Sequence, residues 1–139
     1  MRTITLEEHF ATPDFMEGPG RFLKDRAQGP ETRMRGVPEL LCDLDERRIA
    51  NMDTAGIDVQ VLSHTTPGTE QLDAAESITL AREINDFLAQ AISRHPDCLA
   101  GFATLPTPAP EAAAAELERA VQTYGFKGAM INGHIRPRI

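Results

Sequence analysis

The chain has 139 residues and a mass of 15.2 kDa, enough for one domain or less, and its 41% apolar and 25% charged residues exclude an intrinsically disordered chain. With 14 Lys and Arg against 21 Asp and Glu the net charge is −7, which disfavours nucleic acid and anionic membranes as partners and favours a small molecule. No run approaches the roughly 18 apolar residues of a membrane span, and MRTITLEEHF carries acids where a signal peptide has its apolar core, so the cytoplasm is the expected compartment.

From Arg2 to Phe10, apolar Ile4, Leu6 and Phe10 alternate with Thr3, Thr5, Glu7 and His9, the period-two pattern of a strand with two distinct faces. The stretch from Ala11 to Leu41 is rich in Gly, Pro and charge and reads as one long loop. A helix follows, with Asp43 as N-cap, Glu46 three residues on as in a capping box, an apolar stripe of Ile49, Met52 and Ala55, and Gly56 as the stop. Ile57 to Leu62 reads as a buried strand. After the turn-rich SHTTPGTEQ, a second helix runs from about Asp73 to Arg94 on the stripe Ile78, Ala81, Ile84, Leu88, Ala91 and Ile92. Leu99 to Leu105 is a third strand, Pro110 opens a third helix that stops at Gly125, and Phe126 to Asn132 is a fourth strand. Regular alternation of this kind calls for parallel strands covered by helices, in an open doubly wound sheet or in part of a (β/α)8 barrel.

In such sheets ligands bind at the carboxyl ends of the strands. Glu7 and His9 close the first strand, His64 follows the second, and Asn132 and His134 follow the fourth. Two residues spaced i and i+2 on a strand share a face, so one cation can reach both Glu7 and His9; carboxylate and imidazole are ordinary donors for zinc or another divalent metal. The bland alternative is a solvated pair at a strand end. His64 also reads as a loop histidine, and His95, before Pro96, as a helix-end cation facing the macrodipole. Cys42 and Cys98 lie far apart without CxxC spacing and read as packing residues. GxGxxG, GxxxxGK[ST] and GxSxG are all absent, which removes the usual nucleotide sites and the nucleophile elbow.

The segments ITLEEHFATP, GIDVQVLSHTTPG, AREINDFLAQAISRHPDCLAGFATLPTPAPEAAAAELERAV and YGFKGAMING, in this order, resemble the amidohydrolase-related metal-dependent decarboxylases. That family includes the γ-resorcylate, dihydroxybenzoate and aminocarboxymuconate-semialdehyde decarboxylases. The resemblance implies the N-terminal half of a (β/α)8 TIM barrel, one partial domain over residues 1–139 with about four parallel strands. It implies Glu7 and His9 as ligands of a divalent metal, zinc or manganese, with Asn132 and His64 on the substrate side. It further implies non-oxidative decarboxylation of an aromatic, hydroxybenzoate-type acid; a hydrolase of the same superfamily and a non-catalytic α/β interaction module are the alternatives. The final HIRPRI leaves the pattern, and the later-strand histidines and last-strand aspartate that complete the family's site are not in this sequence. The expectation is therefore a chain inactive alone, weak in metal binding, and associating with itself or with a complementary C-terminal half through its open strand edges.

Overall fold

The computed structural model of the chain describes residues 1–30 and 32–133. Three parallel strands, β1 (Ile4–Phe10), β2 (Val59–His64) and β3 (Leu99–Gly101), form one sheet in the order β1-β2-β3. The fourth strand expected over Phe126–Asn132 is present only as a parallel bridge between Ala103 and Ala129. Three backbone hydrogen bonds frame it: Lys127 N–H to Gly101 O, Ala103 N–H to Gly128 O and Met130 N–H to Ala103 O, at 2.9, 2.8 and 3.1 Å. With a partner on one side only, this segment keeps the direction and neighbour of a fourth strand without a full ladder.

The helices are α1 (Pro13–Glu17), α2 (Arg21–Ala27), α3 (Val37–Cys42), α4 (Glu46–Ala55), α5 (Ala74–Arg94) and α6 (Pro110–Tyr124). The first three occupy the stretch read from sequence as one loop. Helices of five, seven and six residues are too short to show a 3.6-residue period, and local chemistry fixes them instead. Thr12 caps α1 by accepting from Phe15 N–H at 3.2 Å, with Pro13 next to it. Ala11, Phe15, Met16 and Leu23 then bury one another as a satellite core against Met34, Leu41, Cys42 and Leu80.

The cap expected at Asp43 moves to Asp45. The Asp43 carboxylate accepts from Asp45 N–H at 2.9 Å, and the Asp45 side chain turns to Arg94 and His95 and leaves the helix end uncapped. On α5 the buried stripe runs through Ser77, Ala81, Ile84, Asn85, Leu88 and Ala91, while Ile78 is exposed. The stripe is rotated from the expected one because two polar residues belong to it. Cys42 and Cys98 are free, half-buried thiols, each packed against a core cluster, and burial raises both above the usual thiol range.

The main core lies between the sheet and the helices. Phe10, Leu62 and Leu99 pack with Ile84, Leu88 and Ala91 of α5 and with Ala113 and Ala120 of α6. Residues one step along β2, Val61 and Ser63, belong to the other face of the pleat. On that face Ile4, paired with Val59, is 52% exposed and Leu6 is 56% exposed. A strand of an α/β sheet ordinarily buries both faces, so this one lacks a cover within the described residues.

Candidate metal and substrate site

The register of β1 against β2 pairs Thr5 with Gln60 and Glu8 with Leu62, so Leu6 and Glu7 together oppose Val61. This bulge breaks simple alternation in the middle of the strand. His9 pairs with Ser63 and Phe10 with His64. Glu7 and His9 are both exposed, Glu7 at the level of Val61 and His9 at that of Ser63, two positions that lie on one face of β2. The His9 Nδ1 is 3.2 Å from the Ser63 hydroxyl, which leaves Nε2 as the ring nitrogen for another partner.

The backbone behind His9 is held by Arg48 of α4. Its guanidinium donates to His9 O at 3.0 Å, to Leu40 O at 3.3 Å, to Asp43 O at 2.8 Å and to Gln60 Oε1 at 3.1 Å. One half-buried side chain thus ties the end of β1 to β2 and to the turn between α3 and α4, with the planar five-donor geometry that lysine lacks.

His64 sits differently. One residue beyond Ser63, it belongs to the helix side of the sheet and is 3% exposed, with its ring edge-on to Phe10 and Phe15 at centroid distances of 5.4 and 4.4 Å. Nδ1 bonds the Thr65 carbonyl at 2.9 Å and Nε2 has no partner among the described residues. Burial pushes its pKa down to about 4, so the ring is neutral at physiological pH.

Asn132 lies just past the fourth-strand segment and is half-buried. Its backbone N–H and side-chain Nδ2 donate to Glu70 Oε1 at 3.0 and 3.2 Å. Glu70, in the loop after β2, is 3% exposed. The structure thus joins Asn132 to a residue that sequence reading left in a turn, while His134 lies outside the described residues. Ser63, Arg48 and Glu70 carry no sequence signal of their own: each becomes visible only when a partner 54, 39 or 62 positions away is brought beside it.

The donor chemistry of Glu7 and His9 suits a divalent cation, but catalytic sites ordinarily take three protein ligands and a water. Among the described residues no group of three or more His, Cys, Asp or Glu side chains is placed to hold a metal. The pair therefore fits part of a metal site and not a whole one. A depression of about 780 Å³ lined by Glu39, Asp43, Asp45, Arg94 and His95 includes none of Glu7, His9, His64 or Asn132. There His95 Nε2 lies 3.0 Å from the Asp45 carboxylate, a hydrogen-bonded contact at the end of α5.

The amidohydrolase family pattern matches residues 36–138. The chain belongs to the amidohydrolase family. Within it, the curated relatives that the chain resembles include γ-resorcylate decarboxylases. The chain is 41% identical to the γ-resorcylate decarboxylase of Polaromonas sp. over 131 residues, covering 94% of this chain and 38% of that protein. With the γ-resorcylate decarboxylase of Rhizobium radiobacter the identity is 36% over the same shares. Among solved structures it superposes with a TM-score of 0.90, at 38% identity, on 5-carboxyvanillate decarboxylase from Novosphingobium aromaticivorans in complex with manganese and 4-hydroxy-3-methoxy-5-nitrobenzoic acid. That match covers 99% of this chain and 43% of the relative. The 2,6-dihydroxybenzoate decarboxylase from Rhizobium gives a TM-score of 0.84 at 35% identity, over 98% of this chain and 40% of the other.

The chain spans about two fifths of the length of the relatives it matches. Its parallel sheet and flanking helices are the N-terminal half of a TIM-barrel amidohydrolase fold. The missing cover over Ile4 and Leu6 is accounted for by that extent, since a closed barrel brings further strands to the open edges. No described helix is long and apolar enough to cross a membrane.

Proposed function

We propose that this chain supplies the first-strand portion of a divalent-metal site for non-oxidative decarboxylation of hydroxybenzoate-type acids, and that polypeptide outside its 139 residues completes the site. Glu7 and His9 are two of the ligands, for zinc or manganese, and Asn132 contacts the substrate. The observation that carries this reading is the placement of a carboxylate and an imidazole, both exposed, at the end of β1 on a fold whose relatives decarboxylate aromatic acids. The expected substrate role of His64 narrows to shaping the site from behind, because its ring is enclosed by Phe10 and Phe15. A small aromatic carboxylic acid in the cytoplasm is the substrate in this reading.

The exposed apolar face and the free edge of β1 favour a partner, either a second copy or a chain carrying the remaining strands. Alone, the chain is expected to scatter light as a self-associated species and to release no carbon dioxide from 2,6-dihydroxybenzoate with manganese. Mixed with the polypeptide that follows the matched region in the Polaromonas relative, it is expected to gain turnover, and the Glu7→Ala/His9→Ala pair to return it to background. Turnover that survives the pair removes the metal assignment, and a stable monomer removes the proposed association.

A further inference from the structure

The contact between Glu70 and Asn132 fixes more than position. A backbone N–H can only donate, so the Asn132 N–H identifies Glu70 Oε1 as an acceptor. The Asn132 side-chain atom 3.2 Å from the same oxygen must then be the NH2 group. The orientation of a side-chain amide is usually ambiguous; here chemistry settles it, and the groups left over are the carbonyl oxygen Oδ1 and the second N–H. Glu70 is itself clamped. Gly68 has φ +63°, and a Cβ there would strike the Glu70 carboxyl and the Asn132 amide. Next to it, Thr69 donates to Leu105 O at 2.9 Å, anchoring the loop to the segment after β3. The second carboxyl oxygen, Glu70 Oε2, is buried without a partner among the described residues.

We infer that Glu70 is a positioning residue that turns Asn132 to present its carbonyl oxygen, so that this end of the site selects ligands that donate a hydrogen bond, such as a phenolic hydroxyl, over ligands that bring a carboxylate. The inference rests on the reading that Asn132 faces the substrate. The acceptor Asn132 Oδ1 gains from a hydroxyl donor, while the buried Glu70 Oε2 adds negative potential beside it. An anionic group finds only the one remaining Asn132 N–H and meets the carboxylate's field. A glutamine or lysine in place of Glu70 would offer a donor as well and lose that sign.

The test uses the ¹⁵N-labelled full chain in metal-free buffer with a chelator, so its outcome is independent of whether Glu7 and His9 bind metal. The Asn132 side-chain amide is assigned by its loss in Asn132→Asp. Its Glu70-bonded proton is expected to exchange with water roughly tenfold more slowly than those of exposed Asn51. Glu70→Ala is expected to bring the two residues level, and Glu70→Gln, whose amide oxygen can still accept, to keep most of the protection. Resorcinol, with hydroxyls and no carboxylate, is expected to shift the Asn132 and Glu70 signals at millimolar concentration while benzoate leaves them in place, a contrast that Glu70→Ala erases. An Asn132 amide that exchanges as fast as Asn51 overturns the positioning, even if Glu70→Ala fails to fold. Equal responses to the two probes, a response to benzoate alone, or none to resorcinol overturns the selectivity.

Discussion

Replacing Asn85 with alanine is expected to lower unfolding stability by about 3–5 kcal/mol, read as a fall in the urea midpoint at fixed protein concentration. Asn85 is fully buried on α5. Its Nδ2 donates to Thr104 O and to Glu116 Oε1, both at 2.9 Å, and its Oδ1 accepts from Thr104 N–H at 2.8 Å. One amide therefore satisfies both backbone groups of Thr104, in the segment after β3, and a buried carboxylate of α6. Glu116 passes the connection on to Arg119, which pairs with it at 2.6 Å and with Asp86 at 2.8 Å, while Tyr124 OH donates to Asp86 at 2.6 Å. Alanine leaves the Thr104 groups and the Glu116 oxygen without their partner in a water-poor interior, and each such loss costs about 1–3 kcal/mol. Against a total of about 5–15 kcal/mol for a small domain, that is a large fraction. Ile78→Ala, on the exposed side of the same helix, is expected to change stability by less than about 0.5 kcal/mol. Equal effects from the two substitutions would contradict the assignment of the helix's buried face.

The second large effect is expected from pH. The His64 imidazole has its pKa lowered to about 4 in the fold, chiefly by burial, against 6.5 for the free side chain. Between these values the unfolded chain binds a proton that the folded chain refuses, so stability falls as pH drops from about 6.5 towards 4 and this contribution is flat outside that window. The difference of about 2.5 pKa units corresponds to roughly 3 kcal/mol. Asp45 and Asp86, both held below the usual carboxylate range, Asp45 mainly by the Arg94 hydrogen bond and Asp86 by Tyr124 and Arg119 against its own desolvation, lose stability only at more acid pH. Unfolding curves of His64→Phe, which fills the space between Phe10 and Phe15 without a titrating group, are expected to lack the loss between pH 6.5 and 4. A wild-type curve that does not slope in that interval would contradict the buried, neutral ring.

The alternation of strands and helices was legible in the sequence because long segments carry their period openly. The α5 stripe through Ala81, Ile84 and Leu88 and the β2 run through Leu62 declare themselves in any window of a dozen residues. What was not legible depends on contacts between distant segments. Asn85 and Ser77 interrupt an apolar pattern, and only Thr104 and Glu116, brought in by the crossover, explain why a buried amide is tolerated. The three helices before α4 are too short for periodicity and owe their place to Phe15 and Leu23 packing as a satellite core. Of the candidate site, the residue types at the strand ends were visible in the sequence. The bulge opposite Val61, the Ser63 hydroxyl beside His9 and the Glu70 carboxyl beneath Asn132 are products of register and crossover, which one strand read alone cannot contain.

The central claim is that Glu7 and His9 together grip a divalent cation. Manganese titrated into the ¹⁵N-labelled chain tests it most directly, because a paramagnetic ion broadens the signals nearest to it even when binding is weak. Two ligands in place of three should hold the ion loosely, with broadening that begins at Glu7, His9 and their neighbour Ser63 and disappears in the Glu7→Ala/His9→Ala pair. Broadening centred on the acidic depression around Asp43 and Asp45, or unchanged in the double variant, would contradict the account.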